Sequence, residues 1–102
     1  MERAEIGKRE LDTLFLMASR WADSYRKLRK DLTDHTCFAE DLKYEIQTMM
    51  MPYVTRLHKL EYISDSQLVS FLQKIQTLLA DFLEEMKEDP AVALARGLDY
   101  GK

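Results

Sequence analysis

Apolar residues recur every three or four positions through three long stretches of the chain, and each stretch predicts a helix. The first runs from about Glu5 to Asp31, and its spacing is that of a heptad a/d seam, which packs one face of a helix against its neighbours. Gly7 predicts a frayed first turn, because glycine lowers helix stability by about 1 kcal/mol relative to alanine. The seam residues of this helix are Leu11, Leu14, Ala18, Trp21, Tyr25 and Leu28.

The second stretch has an apolar stripe with a mean spacing of about 3.67 residues, which predicts a nearly straight helix. Pro52 lies within it, where its ring removes a backbone donor and clashes with the carbonyl of Thr48. We expect a kink near Met50 and Met51, because the stripe continues in phase on both sides, although the sequence leaves a split helix open. The stripe consists of Phe38, Leu42, Ile46, Met49, Tyr53, Leu57 and Leu60.

The connection to the third helix has the clearest local signal in the chain. Ser64 and Gln67 fit a capping box, and Ile63 and Leu68 are spaced for the accompanying hydrophobic staple. A turn this tight makes two long helices antiparallel neighbours. The third helix has a wide apolar face made of Leu68, Leu72, Ile75, Leu79, Phe82 and Met86, flanked by Val69, Phe71, Leu78 and Leu83.

The end of the chain predicts one more short element. Asp89 and Pro90 fit the N-cap and first position of a short helix, and Gly97 fits its end. We expect residues 89–102 to form this helix and a loosely held tail, which packs either on its own bundle or on a neighbouring molecule. Three helices of similar length with short connections predict a single all-α domain over 1–102, an up-down-up antiparallel three-helix bundle.

Charge and composition narrow the classes of function. The 102 residues carry 15 Lys and Arg against 18 Asp and Glu, a net charge of −3, whereas dedicated nucleic-acid-binding proteins usually have a basic excess. No apolar run approaches the ~18–20 residues that cross a bilayer, and the polar N-terminus lacks the apolar region of a signal peptide. Cys37 is the only cysteine, which excludes an intrachain disulfide. We therefore expect a cytoplasmic protein with no membrane association.

The residue types of a catalytic or metal site do not assemble in this sequence. Neither His35 nor His58 follows a glutamate by three residues, as carboxylate-bridged metal sites in bundles require, and His58 with Glu61 predicts only a surface pair. Cys37 is interpreted as a structural cysteine near a helix start. Arg29 and His35 resemble the Arg-x(4–6)-His pattern of HEPN ribonucleases at these two positions only. We expect no enzymatic activity, no cofactor and no metal ion.

Apolar residues remain beyond those that a three-helix monomer needs for its core. Leu16 lies opposite the seam of the first helix with Met17 beside it, and three consecutive methionines, 49–51, cannot all face one side of a helix. We therefore predict a non-enzymatic helical interaction protein (an adaptor, regulator or assembly subunit) that acts as a homodimer or larger homo-oligomer, or on a protein partner. Its predicted contact residues are Leu16, Met17, Met50, Met51, Val69, Phe71 and Leu83.

The alternative prediction is nucleic-acid binding through the basic C-terminal end of the first helix. Arg26, Lys27, Arg29 and Lys30 lie within about two turns, and such a density of positive charge holds phosphates. Cations at a helix C-terminus also complement the macrodipole, which explains the same cluster structurally. Nucleic acid is therefore the less favoured partner.

Overall fold

Three long helical segments form a bundle. The computed structural model describes residues 2–29 and 37–87, and these contain helices and no strand, which confirms the predicted all-α class. The helices are α1 (Arg3–Arg29), α2 (Phe38–Glu45), α3 (Met51–Lys59) and α4 (Asp65–Lys87), and a π-helical turn over Ile46–Met50 joins α2 to α3.

The core lies where the three segments meet. Near the C-terminal end of α1, the ring of Tyr25 packs against Phe38 and Phe82, with centroid separations of 5.2 and 6.1 Å. Near the other end, Glu10 contacts Tyr53. The contacts of α1 with the second segment therefore come in reverse order along the two segments, so these two run antiparallel.

The π-helical turn changes which residues of the second segment face the core. In such a turn an N–H group bonds to the carbonyl five residues back, as the Met51 N–H does to Ile46. The wider turn advances the buried stripe by about one residue. Met50 is therefore 1% exposed and Met49 is 70% exposed, so the prediction that Met49 lies in the seam is wrong. The buried residues of this segment are Phe38, Ala39, Leu42, Ile46, Met50, Val54 and Leu57.

Pro52 does not divide the second segment. It lies in the first turn of α3, directly after the π-helical turn, where a missing backbone donor is tolerated. Helical structure continues without interruption over 38–59. The π-helical turn thus accommodates the proline. The prediction that the stripe continues in phase past Pro52 is wrong, because the buried positions shift by about one residue at this turn.

Gly7 brings the start of α1 against the turn between α3 and α4. A Cβ atom at this position would lie 1.9 Å from the carbonyl oxygen of Tyr62, so only glycine fits. Arg3 lies 5.4 Å from the centre of the Tyr62 ring and donates a hydrogen bond of 3.2 Å to the Leu60 carbonyl. Gly7 is buried in a formed helix, which replaces the predicted frayed turn with a tertiary contact.

The predicted capping box starts α4. The Ser64 amide donates to Gln67 Oε1 at 2.8 Å, and the Gln67 amide donates to Ser64 Oγ at 3.1 Å. Ile63 lies in the core and Leu68 packs against it partly buried, which is the side on which the hydrophobic staple places them. We refer to Gly7, Tyr62, Ser64 and Gln67 as the corner.

Three other seam predictions are corrected at the periphery of the bundle. Leu28 in the last turn of α1 and Leu60 directly after α3 are 47% and 52% exposed, so neither is a core residue. Tyr53 is 37% exposed on the rim beside α1. The predicted element over 89–102 lies outside the described residues. Within 2–29 and 37–87, no helix is both long enough and apolar enough to cross a membrane.

Candidate protein-interaction surface

The outer face of α4 carries an apolar stripe that one polar residue interrupts at its centre. Val69 and Leu83 are 52% and 42% exposed, and Leu72 and Leu79 between them are partly buried. Gln76 is exposed at the centre. The alternating spacings of three and four place these side chains on one face of the helix. We refer to them as the α4 stripe: Val69, Leu72, Gln76, Leu79 and Leu83.

The α4 stripe from Leu72 to Leu83 forms one wall of a groove of about 650 Å³ between α4 and the second helical segment. Ile46 and Ile75 lie in its apolar floor, and small side chains at Ala39 and Ala80 leave it open. Lys43 lies among the polar residues that line it. A groove with an apolar floor and polar edges accepts the apolar face of another helix.

The exposed apolar residues of α1 form no comparable surface. Leu16 is 50% exposed, but its neighbours one turn away include Asp12, Thr13 and Arg20. Met17, 38% exposed, also has Arg20 one turn later. Single exposed apolar side chains are ordinary on protein surfaces, whereas contiguous ones mark binding sites.

Two predicted contact residues are core residues. Met50 and Phe71 are 1% and 3% exposed, so neither reaches a partner in this fold. Met50 turns inward because of the π-helical turn, and Phe71 faces the bundle interior from α4. Met51 is partly buried against the core and lines the groove. Among the methionines of the described residues, the most exposed is Met49, which the sequence periodicity assigns to the seam.

The basic end of α1 is held by carboxylates. Arg26 makes two hydrogen bonds to Glu85 of α4, at 2.6 and 3.0 Å, and a third of 2.6 Å to Asp23. The hydrogen bonds to Glu85 raise the pKa of Arg26 against the opposing effect of burial. This charge therefore fastens α1 to α4. The rest of the predicted cluster is Lys27, which is exposed, and Arg29 and Lys30, whose side chains lie outside the described part.

Two tyrosines connect α1 to the second helical segment. Tyr25 donates a hydrogen bond to Glu45, and Tyr53 donates one of 3.1 Å to Glu10. Burial, reinforced by the neighbouring carboxylate, raises the pKa of both phenols. Both therefore act as neutral donors that hold the second segment, and with it one wall of the groove, in place.

The histidine and the cysteine in the described residues are not grouped as a reactive site. His58 Nε2 shares a hydrogen bond of 2.6 Å with Asp65, so its contact is not the predicted one with Glu61. Cys37 is exposed at the start of α2, where its side chain makes no capping hydrogen bond. Among residues 2–29 and 37–87, no three His, Cys, Asp or Glu side chains are grouped to hold a metal ion.

No protein-family model matches this chain, and no curated protein or solved structure is significantly similar to it. The function is therefore inferred from the chain's own residues. Among the surfaces of the described residues, the α4 stripe and its groove combine contiguous apolar side chains with a shape that fits a helix.

Proposed function

We propose that this protein is a non-enzymatic helical interaction protein that assembles with a second copy of itself through the α4 stripe. The observation that carries the proposal is the heptad spacing of exposed and partly buried apolar residues next to an apolar groove. Burying one such side chain contributes about 1.5–3 kcal/mol. A second copy presents the same spacing and can bury both stripes at once.

Charges at the two ends of α4 also favour a second copy as the partner. Asp65 lies before the stripe and Lys87 after it, and their side chains are 94% and 62% exposed. One copy therefore supplies both signs of charge beyond its apolar stripe. Opposite charges at the rim of an interface speed association and select the partner.

Nucleic-acid binding stays a prediction with less support. Arg26, the first residue of the basic cluster, is already occupied by Glu85 and Asp23. Lys27 is exposed, but it lies on a helix face that also carries acidic side chains such as Asp23. A pocket on α2 does place Lys43 beside the exposed ring of Tyr44, but Glu40 and Asp41 line it too, and their negative charge opposes a phosphate backbone.

The test is molar mass by light scattering during size exclusion, over a concentration series. We expect a dimer, and we expect Leu83→Glu to raise its dissociation constant more than ~100-fold, because both copies lose a buried leucine and gain a buried charge. Leu16→Glu is the matched control, since it makes the same change at a similarly exposed leucine outside the stripe. We expect it to change the constant less than ~2-fold, as surface substitutions do.

Circular dichroism establishes that both variants keep their helix content. A wild-type protein that is monomeric at every concentration would contradict the proposal. Equal dissociation by Leu16→Glu and Leu83→Glu would also contradict it, because the α4 stripe would then have no special role.

A further inference from the structure

We infer that the two copies pair antiparallel along α4 with Gln76 at the two-fold axis, an inference that rests on the self-association proposed above. Val69 lies seven residues before Gln76, and Leu83 lies seven residues after it. In an antiparallel pair related by a two-fold axis, each residue faces the one at equal distance on the other side of the centre. Val69 of one copy then faces Leu83 of the second copy, and Leu72 faces Ala80, next to Leu79.

The position of Gln76 fixes the register of this pair. Its side-chain amide both donates and accepts, so two copies of Gln76 at the axis can hydrogen-bond to each other. A shift by one helical turn would place each amide against leucine and leave it buried without a partner, which costs about 1–3 kcal/mol per group. A single polar residue in an apolar seam is a known device for selecting register, and it lowers overall stability.

The charges at the ends of α4 select the antiparallel orientation. Asp65 and Lys87 each lie eleven residues from Gln76, on opposite sides. The antiparallel pair therefore brings Asp65 of each copy to Lys87 of the second copy, whereas a parallel pair would place like charges together. Antiparallel packing also opposes the two helix macrodipoles.

The present contacts of these two charges leave room for the new ones. Asp65 uses one carboxylate oxygen on His58, and Lys87 uses one contact of 3.4 Å with Glu84. A carboxylate has further acceptor sites and an ammonium has three donors, so each can take a second partner at the exposed rim.

Disulfide cross-linking tests the orientation and the register together. Cys37→Ser first removes the chain's only cysteine. Val69→Cys and Leu83→Cys are then introduced separately, distinguished by a mass tag, mixed and oxidised. A disulfide needs Cα atoms within about 4.4–6.8 Å, so we expect the mixed 69–83 product in roughly tenfold excess over 69–69 and 83–83 products. Gln76→Cys alone should cross-link to itself.

The outcomes separate this inference from the proposal on which it rests. Products that join 69 to 69 and 83 to 83 would overturn the antiparallel orientation while leaving self-association intact. No cross-link at 76 and none between 69 and 83, in variants that light scattering shows to be dimeric, would overturn the register. A monomeric wild-type chain would overturn both.

A charge reversal provides a second measurement where the cysteine variants weaken the dimer. Lys87→Glu should raise the dissociation constant about threefold to tenfold, because two exposed ion pairs become repulsive. Adding Asp65→Lys should restore the wild-type value, since the opposite charges meet again with their positions exchanged. Failure of the double variant to recover would overturn the antiparallel pairing.

Discussion

The corner and the α4 stripe are neighbouring regions at the start and on the outer face of α4. They differ in whether the chain itself satisfies their polar groups and covers their apolar side chains. In the corner, Gly7 lets two backbones meet, and Ser64 and Gln67 satisfy each other's amide groups. Along the stripe, Val69 and Leu83 have about half of their surface exposed to water. The groups of the corner satisfy one another within one chain, whereas the described residues leave the apolar side chains of the stripe partly uncovered.

The two regions are also mechanically related, because α4 begins in the corner and carries the stripe. The capping box fixes the first turn of α4, and Phe71, Ile75, Phe82 and Met86 hold its inner face in the core. The stripe is therefore presented on a rigid element. A binding surface on a packed helix loses less conformational entropy on association than one on a loop.

Gly7→Ala should have the largest effect on the corner. The new Cβ would lie 1.9 Å from the Tyr62 carbonyl oxygen, so backbone has to move. We expect the free energy of unfolding to fall by about 2–3 kcal/mol, because this clash outweighs the roughly 1 kcal/mol that alanine gains in helix propensity. The measurement is urea unfolding in the Leu83→Glu background, where dissociation of a dimer does not contribute.

Thr13→Ala is the control for Gly7→Ala, since it lies on the exposed face of α1. It should change the free energy of unfolding by less than ~0.5 kcal/mol. If Gly7→Ala were as stable as its parent, the close approach of α1 to Tyr62 would not exist in solution.

The sequence predicted the local features of this fold and missed those that depend on distant parts of the chain. The capping box from Ser64 to Gln67 is a four-residue pattern whose hydrogen bonds close within one turn, so the sequence alone predicts it. The sequence does not predict the π-helical turn, because a stripe with a mean spacing of about 3.67 residues fits either Met49 or Met50. From the sequence, Gly7 is only a residue of low helix propensity, because no local pattern shows that the backbone of Tyr62 passes beside it.

The sequence predicted the candidate surface only in part, because the direction of the core is not a local feature. The excess width of the apolar face on the third helix identified Val69 and Leu83, which the structure leaves exposed. The sequence did not separate them from Phe71, because neighbouring positions on one wide face differ only in the direction of the core. The sequence singles out Leu16 because it lies opposite the seam, but the structure surrounds it with polar residues, so it is not part of a contiguous apolar surface.

Gln76→Leu tests whether the polar residue in the α4 stripe sets the affinity and the register of the dimer. An uninterrupted apolar seam should bind about tenfold more tightly, because polar residues at seam positions lower the stability of paired helices. It should also lose register, so that the mixed disulfide between Val69→Cys and Leu83→Cys loses its tenfold excess in this background. Sedimentation equilibrium measures the affinity, and Thr77→Leu, at an exposed position of α4 on the face turned away from the stripe, should leave it nearly unchanged. Weaker association in Gln76→Leu would show that Gln76 is not in the interface.

Ser64→Ala should have the smallest effect, and it tests whether the corner and the stripe are independent. Loss of the Ser64 hydroxyl removes the acceptor for the Gln67 amide, so the free energy of unfolding should fall by about 1 kcal/mol in the Leu83→Glu background. Ser66→Ala, exposed in the same first turn, should change it by less than ~0.5 kcal/mol. In the otherwise wild-type chain, Ser64→Ala should leave the dimer dissociation constant unchanged, because the cap satisfies groups of its own chain and the stripe starts one turn later. A dissociation constant that rises with the loss of the cap would mean that fraying at the corner reaches Val69, and that the corner helps to form the binding surface as well as the fold.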